Sequence, residues 1–278
     1  MTKQLIITAD DFGIDQATNE VIEELALGGK ITATSLVMPA YAVKDAADRI
    51  KELPHISVGL HVTLTSDLTP IKWECQAPID EEKPLVDKQG YFHNKYATAV
   101  EQSDSDAVLS EIAAQYYAGE QLGFNFDHLD SHDGILYGTD DKSFLSVALH
   151  FCQSHQLSFR FPRKKTSLST ALKKDHQKWL TFAEVKGIQL PDRIITHPNT
   201  RHFSSYPELK AYYMNELMQL SPGVTELCLH PSKESSDFVH NDDWQRRIWE
   251  YQLLCDDDFL RLLEEEDISL VSWKTVSQ

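Results

Sequence analysis

The chain has 278 residues with 43 acidic and 26 basic side chains, a formal net charge of −17 that argues against nucleic acid or an anionic membrane as a partner. No apolar run reaches the roughly 18 residues of a membrane span, and a first strand beginning at Leu5 leaves no room for a signal peptide, so we expect a cytoplasmic protein. The four cysteines are widely spaced and form no Cys-x-x-Cys pair, which predicts reduced thiols and excludes a zinc finger.

Short apolar segments alternate with amphipathic segments along the chain. The first helical pattern, for example, places Val21, Ile22 and Leu25 on one face and stops at Gly28. In chain order the predicted strands are 5–9, 33–38, 56–64, 126–130, 158–161, 193–196, 224–229 and 268–271, and the predicted helices are 16–27, 42–53, 106–122, 143–155, 207–220 and 244–254. This alternation predicts an α/β fold with seven or eight mostly parallel strands, and the length favours a TIM-like (β/α) barrel over a doubly wound sheet. Residues 1–278 contain no Pro/Gly/Ser-rich linker and are predicted to form a single domain.

Two segments interrupt the alternation. Residues 65–105 show little periodicity, and so long an excursion in a compact domain is typical of a lid or a binding loop. Residues 163–178 are basic. They form either a solvated face or, on so acidic a protein, a receptor for an anionic substrate group.

Polar side chains gather at the ends of the predicted strands, where parallel α/β folds build their sites. They are Asp10 and Asp11, His61, residues 127–133, Arg160, His197 and His230. Because neighbouring side chains on an extended strand point to opposite sides, Asp10 and Asp11 are expected to take different roles. Two imidazoles and one carboxylate suit zinc, iron, manganese or, with added waters, magnesium. A second carboxylate beside such an ion would act as a general base.

Four ordered motifs resemble the YdjC-like carbohydrate deacetylase family over essentially the whole length. They are Ala-Asp-Asp-Phe-Gly at 9–13, Gly-Leu-His at 59–61 with Leu-Thr at 64–65, His-Leu-Asp-Ser-His at 128–132, and His-Pro at 230–231. The resemblance implies a distorted (β/α) barrel and divalent-metal-dependent removal of an N-acetyl group from a sugar. It places the metal on Asp11, His61 and His132, and makes Asp10 the catalytic base. We expect Mg²⁺, with Zn²⁺ as the alternative.

The remaining roles follow from chemistry and position. His230 is expected to protonate the departing amine, and Arg160 to orient Asp10 or bind substrate. Trp73, in the long loop, could stack on a pyranose ring. The family's third motif usually continues with further histidines, but here Asp133 and Gly134 follow, so this segment is expected to alter the sugar that is accepted.

We therefore expect a small carbohydrate substrate, phosphorylated or not, and a chain that acts alone or as a homodimer. The alternatives are another metal-assisted amidase or phosphoesterase on the same scaffold, and a sugar-binding protein without catalysis. The intact set of Asp10, Asp11, His61, His132 and His230 favours an enzyme, because a binding protein needs no metal and base together.

Overall fold

The structure, a computed structural model, describes residues 2–68, 71–79, 85–139, 141–165, 170–198, 202–238 and 244–276. At its centre is one sheet of eight strands, all paired in parallel, which curls into a half-barrel. The strands are β1 (Lys3–Phe12), β2 (Ala33–Leu36), β3 (Ser57–Val62), β4 (His128–Ser131), β5 (Ser158–Phe159), β6 (Arg193–Ile195), β7 (Gly223–Leu229) and β8 (Ile268–Leu270). The predicted single-domain α/β barrel of seven or eight strands is confirmed.

The strands lie in the order β5-β4-β3-β2-β1-β7-β6, and β8 pairs with the start of β1 on the side that β2 occupies further along. Among the described residues β5 and β6 do not pair as strands. The gap between β5 and β6 is nevertheless bridged by backbone hydrogen bonds to the segment before β6. The amide of Phe159 donates to the Gln189 carbonyl at 3.0 Å, and that of Arg163 to the Pro191 carbonyl at 2.9 Å. All strands run in one direction, so their carboxyl ends meet at one edge of the half-barrel.

Ten α-helices surround the sheet in the part of the chain that the structure describes. They are α1 (Gln16–Leu27), α2 (Val43–Arg49), α3 (Tyr96–Gln102), α4 (Ser105–Gln121), α5 (Leu145–His155), α6 (Thr170–Lys186), α7 (Tyr206–Met218), α8 (Trp244–Leu254), α9 (Asp257–Glu265) and α10 (Trp273–Val276). The predictions for α1 and α8 have the observed bounds, whereas α3, α6, α9 and α10 were not predicted. Within the described ranges, no helix combines the length and apolarity that crossing a membrane requires.

A glycine sets the spacing between β3 and β4, the two strands that lead to the predicted histidine ligands. Gly59 pairs with His128, and a Cβ atom on Gly59 would lie 2.3 Å from Nε2 of that ring. The ring cannot yield, because its Nδ1 lies 2.6 Å from Asp127 and its face stacks on Trp273. Gly59 therefore allows the close approach that brings His61 beside Asp130, two residues further along both strands.

Candidate metal centre and active site

Asp10 and Asp11 lie in a β-bulge at the end of β1. Ala9 pairs with Thr34 of β2 and Phe12 pairs with Leu36. Two residues of β1 therefore lie between these pairs, but only one residue of β2 does. Asp11 has a φ of 69°, in the left-handed region that non-glycine residues seldom adopt. Both carboxylates are buried, and each has an oxygen within 4.8 Å of a ring nitrogen of His61. The expectation that they point to opposite sides is therefore wrong, because the bulge turns both toward one site.

Each predicted histidine ligand is oriented by its own carboxylate, distinct from Asp10 and Asp11. Nδ1 of His61 lies 2.7 Å from Oδ1 of Asp130, and Nε2 of His132 lies 2.7 Å from Oδ1 of Asp67. Such a pair fixes the protonated nitrogen and leaves the other nitrogen with its lone pair free. Nε2 of His61 and Nδ1 of His132 are thus the nitrogens available to a ligand.

These two nitrogens converge on Asp11. Oδ1 of Asp11 lies 3.2 Å from Nδ1 of His132 and 3.6 Å from Nε2 of His61. Ligands bound about 2.1 Å from one ion lie roughly 3.0–3.4 Å from each other at tetrahedral or octahedral angles. Among the described residues, neither Oδ1 of Asp11 nor Nδ1 of His132 has a hydrogen-bond partner, although both atoms are buried. The three residues fit a divalent ion, because their ligand atoms converge on one point and two of these atoms are buried without a hydrogen bond to any residue that the structure describes.

The electrostatics favour a positive charge at the same point. Burial alone would lower the pKa of His132, but the carboxylates of Asp67 and Asp11 on its two sides raise it well above its ordinary value. Burial likewise opposes the ionisation of Asp11, yet Arg247 and His132 hold its pKa well below the usual range. A cation between His132 and Asp11, whether a proton or a metal, is therefore stabilised.

Asp10 is held by Arg160, the first residue after β5. Nη1 and Nη2 of the guanidinium donate to the two Asp10 oxygens at 2.7 and 2.8 Å, the bidentate geometry that fixes a carboxylate most firmly. Burial and the nearby Asp130 raise the pKa of Asp10 above its ordinary value, against the opposing effects of Arg160 and His61. Arg160 thus contacts Asp10, which is one of the two roles that the sequence left open for it.

Two further carboxylates surround the same guanidinium. Nε of Arg160 donates to Glu226 at 3.0 Å, and Nη2 lies 2.7 Å from Oδ2 of Asp130. Glu226, on β7, also accepts a hydrogen bond from Thr8 at 2.7 Å, and it is fully buried. Asp130 therefore contacts both a predicted metal ligand, His61, and the arginine that orients Asp10.

His230 follows β7, and its side chain approaches Asp10. Its Nε2 lies 3.9 Å from Oδ2 of Asp10, and its backbone amide donates to Glu250 of α8 at 2.6 Å. Burial lowers the pKa of His230 well below its usual value; Arg247 acts in the same direction and Asp11 opposes it. These effects favour the neutral form of the His230 imidazole.

Helix α8 contributes residues that the sequence reasoning missed. Arg247, 4% exposed, donates from Nη2 to Oδ2 of Asp11 at 2.6 Å, which leaves Oδ1 facing the two histidines. The fully buried Glu250 accepts from the amide of His230. Asp67, Glu226 and Asp130 were likewise given no role. For α8, the available signal was the spacing of Arg247 and Glu250, two oppositely charged residues one turn apart on one face of a predicted helix.

The structure departs from the sequence prediction for Trp73. Its side chain is 2% exposed, and its ring packs edge-on against His132 with 5.3 Å between ring centroids. In this arrangement Trp73 supports an imidazole and offers no open face to a pyranose. Asp133, by contrast, is exposed beside His132, in a turn where Asp133 and Gly134 have φ values of 49° and 68°.

The basic segment shows no convergence among its described side chains. Arg163 donates to the carbonyl of Leu190 at 3.2 Å, and Lys178 lies over the Trp179 ring at 4.4 Å. Lys164, Lys165 and Lys173 are exposed, while residues 166–169 and the side chain of Lys174 lie outside the described part of the chain. The described residues thus match the solvated face that the sequence left open as one alternative.

Comparisons with known proteins agree with the motifs. A family model described as YdjC-like protein matches residues 4–265. The chain belongs to the YdjC-like family. It is 26% identical over 277 residues to a carbohydrate deacetylase of Thermoanaerobacter pseudethanolicus, covering 98% of both chains. A chitooligosaccharide deacetylase of Proteus mirabilis is 32% identical over 186 residues, which is 61% of this chain and 64% of that one.

The fold also matches a solved structure. A protein of Enterococcus faecalis V583, described as a candidate cellobiose-phosphate cleavage protein, has a TM-score of 0.81 with 24% identity and complete coverage of both chains. This likeness shows that the two proteins share the curled barrel fold. On that barrel, three of the four motifs supply Asp11, His61 and His132 to one point, and the fourth supplies His230 nearby.

Proposed function

We propose that this YdjC-like protein is a metal-dependent carbohydrate deacetylase, which hydrolyses the N-acetyl group of a small amino sugar or oligosaccharide. The observation that carries the proposal is the pair of unpartnered buried atoms, Oδ1 of Asp11 and Nδ1 of His132, beside the base candidate Asp10. The names of the two relatives support the substrate class. A binding protein would not need this combination of donors and base.

Asp11, His61 and His132 would hold the ion. A divalent ion bound there would polarise the acetyl carbonyl and make water a stronger acid. Two nitrogens and one oxygen suit Zn²⁺, Mn²⁺ or Fe²⁺, whereas Mg²⁺, the ion expected from the sequence, prefers oxygen ligands. Reconstitution with each metal in turn identifies the ion.

The protein residues would move one proton from water to the leaving amine. Asp10, oriented by Arg160, accepts the proton of the attacking water, and its raised pKa suits that task. We propose that this proton then reaches the amine nitrogen by way of Nε2 of His230, which lies 3.9 Å from Oδ2 of Asp10, as the C–N bond breaks. Water and amide are consumed, acetate and a free amino sugar are formed, and Asp10 and His230 return to their starting states.

Substrate choice is proposed to depend on the turn that follows His132. Asp133 is exposed there and offers a carboxylate to sugar hydroxyls. A phosphate on the sugar and a homodimeric protein are two further proposals. A substrate panel tests the first, and the mass of the particle in solution tests the second.

The test of the function is acetate release. N-acetylglucosamine, N,N′-diacetylchitobiose and their 6-phosphates are incubated with the protein, with and without EDTA, followed by added Zn²⁺, Mn²⁺ or Mg²⁺. We expect acetate from at least one sugar, loss of release with EDTA, and recovery with an added ion. Release that is indifferent to EDTA would contradict the metal assignment. No release from any sugar by the metal-loaded protein would favour another amidase, a phosphoesterase or a sugar-binding protein.

A further inference from the structure

The long segment after β3 touches the proposed metal centre directly. Asp67 accepts from Nε2 of His132 at 2.7 Å, and the Trp73 ring packs against the edge of the same imidazole. The amide of Trp73 donates to Ser66 at 2.9 Å, and the amide of Phe92 donates to the Trp73 carbonyl at 2.9 Å. His132 is thus supported on two sides by a segment for which the sequence predicted a lid.

A buried glutamate of α4 holds residues 75–77 of this segment. Glu111 is fully buried, and its carboxylate accepts from Sγ of Cys75 at 2.8 Å and from the amides of Gln76 and Ala77 at 3.0 and 2.7 Å. A buried carboxylate that lost these donors would be left with little compensation, at a large cost in free energy. The attachment to α4 is therefore strongly favoured.

The same network continues to the other histidine. Nε2 of Gln115 donates to Glu111 at 2.8 Å and to the carbonyl of Thr63 at 2.7 Å, and Oε1 of Gln115 accepts from the Thr63 amide at 3.2 Å. The Thr63 hydroxyl in turn donates to the carbonyl of His61 at 2.7 Å. One chain of hydrogen bonds therefore joins the segment, α4 and the strand that carries His61.

We propose that residues 63–68 and 71–77, here called the buttress, form a fixed support of the metal centre, and that Asp67 is a positioning residue for His132. The inference rests on the proposed metal centre and goes beyond it. Asp67 acts through His132, whose Nε2–H it holds, so that Nδ1 and its lone pair face Asp11. Its carboxylate would also make the surroundings of a bound cation more negative. Both effects strengthen metal binding, and losing such a partner commonly weakens it about 10–100-fold.

The experiment measures metal binding by the full-length, EDTA-treated protein. Mn²⁺ is titrated calorimetrically into wild type, Asp67→Ala, Asp67→Asn and Asp67→Glu, and thermal unfolding is followed without metal. Asp87→Ala is the matched control, because Asp87 lies in the same loop region and its side chain is 32% exposed against 31% for Asp67, but it contacts Lys72 and the turn to Tyr91. We expect Mn²⁺ binding to weaken about 10–100-fold in Asp67→Ala, less in Asp67→Asn and Asp67→Glu, and under twofold in Asp87→Ala.

The outcomes separate the two proposals. An Asp67→Ala affinity within twofold of wild type, or equal weakening by Asp87→Ala, would overturn the role of Asp67. If Asp67→Ala does not fold, the nearly isosteric Asp67→Asn decides by the same criterion. A wild type that binds no Mn²⁺, Zn²⁺ or Mg²⁺ would refute the metal centre, and this inference with it.

Hydrogen exchange tests the fixed nature of the buttress without any metal. The amides of Gln76 and Ala77 donate to a buried carboxylate, so we expect them to exchange as slowly as the central amides of α4. Exchange as fast as that of an exposed loop would show that the segment opens freely, as a lid does, and would overturn the buttress.

Discussion

Replacing Gly59 by alanine should destabilise the strand pair that carries His61. The new Cβ would lie 2.3, 2.6 and 2.8 Å from three atoms of the His128 ring, distances at which something must move. His128 is fully buried, hydrogen-bonded to Asp127 and stacked on Trp273 with 4.9 Å between ring centroids, so no free space is left into which the ring could move. Overpacking of this kind costs about 1–3 kcal/mol.

The expected net loss in the free energy of unfolding is smaller than the cost of the clash alone. Alanine restricts the unfolded chain and recovers about 0.4–1 kcal/mol, which leaves a net loss of roughly 1–2 kcal/mol in the free energy of unfolding. For a chain of this size that corresponds to a fall in Tm of about 2–8 °C. Because Gly59 lies two residues before His61, metal affinity should fall as well. Thermal and urea unfolding measure the first effect, and calorimetric Mn²⁺ titration measures the second.

A double-mutant cycle isolates the cause. In an His128→Ala background the ring is gone, so Gly59→Ala should cost nothing there or stabilise slightly. Gly28→Ala is the control, since Gly28 has an ordinary φ of −76° and its nearest contact would be 3.3 Å. Equal destabilisation by Gly59→Ala with and without the His128 ring would refute the packing argument.

Three further outcomes are expected. Asp10→Asn should lower kcat about 10²–10⁴-fold while leaving Mn²⁺ affinity nearly unchanged, and loss of the metal would instead make Asp10 a ligand. His230→Gln should lower kcat similarly, and the Asp10→Asn/His230→Gln double variant should lose little more than either single variant, because both residues handle one proton; multiplied losses would contradict the relay. Asp133→Asn should change the ranking of kcat/KM among acetylated sugars without changing metal affinity, and an unchanged ranking would show that this turn does not set specificity. The last test spares Gly134, whose φ of 68° would strain any replacement.

Local sequence patterns predicted the strands and most of the helices, because each of these elements is specified by its own residues. Apolar runs marked the strands, and amphipathic segments marked α1 and α8 with their observed bounds, with Gly28 as the stop of α1. The same signals were available for α9, where Phe259, Leu262 and Leu263 follow the N-cap Asp256 at helical spacing. That helix was missed although its pattern was present. The basic residues of α6, in contrast, gave a charge run and hid the helix.

The site was only partly accessible from sequence. Motifs gathered at strand ends indicated the ligand and base candidates, but the partners of these residues come from distant positions that no local pattern connects. Arg247 lies 236 residues from Asp11, and Asp67 lies 65 residues from His132 in a segment without periodicity. The bulge at Asp10 and Asp11 was also invisible, because it depends on the register between β1 and β2 and not on composition.

The most direct test of the central claim is the position of a bound ion. A crystal soaked with Mn²⁺ or Zn²⁺ and measured at the metal's absorption edge should show one anomalous peak about 2.0–2.2 Å from Oδ1 of Asp11, Nε2 of His61 and Nδ1 of His132. Asp10 and His230 should remain outside the coordination sphere. A peak among Asp10, His61 and Asp130, the second buried group with suitable donors among the described residues, would contradict the assignment of ligand and base.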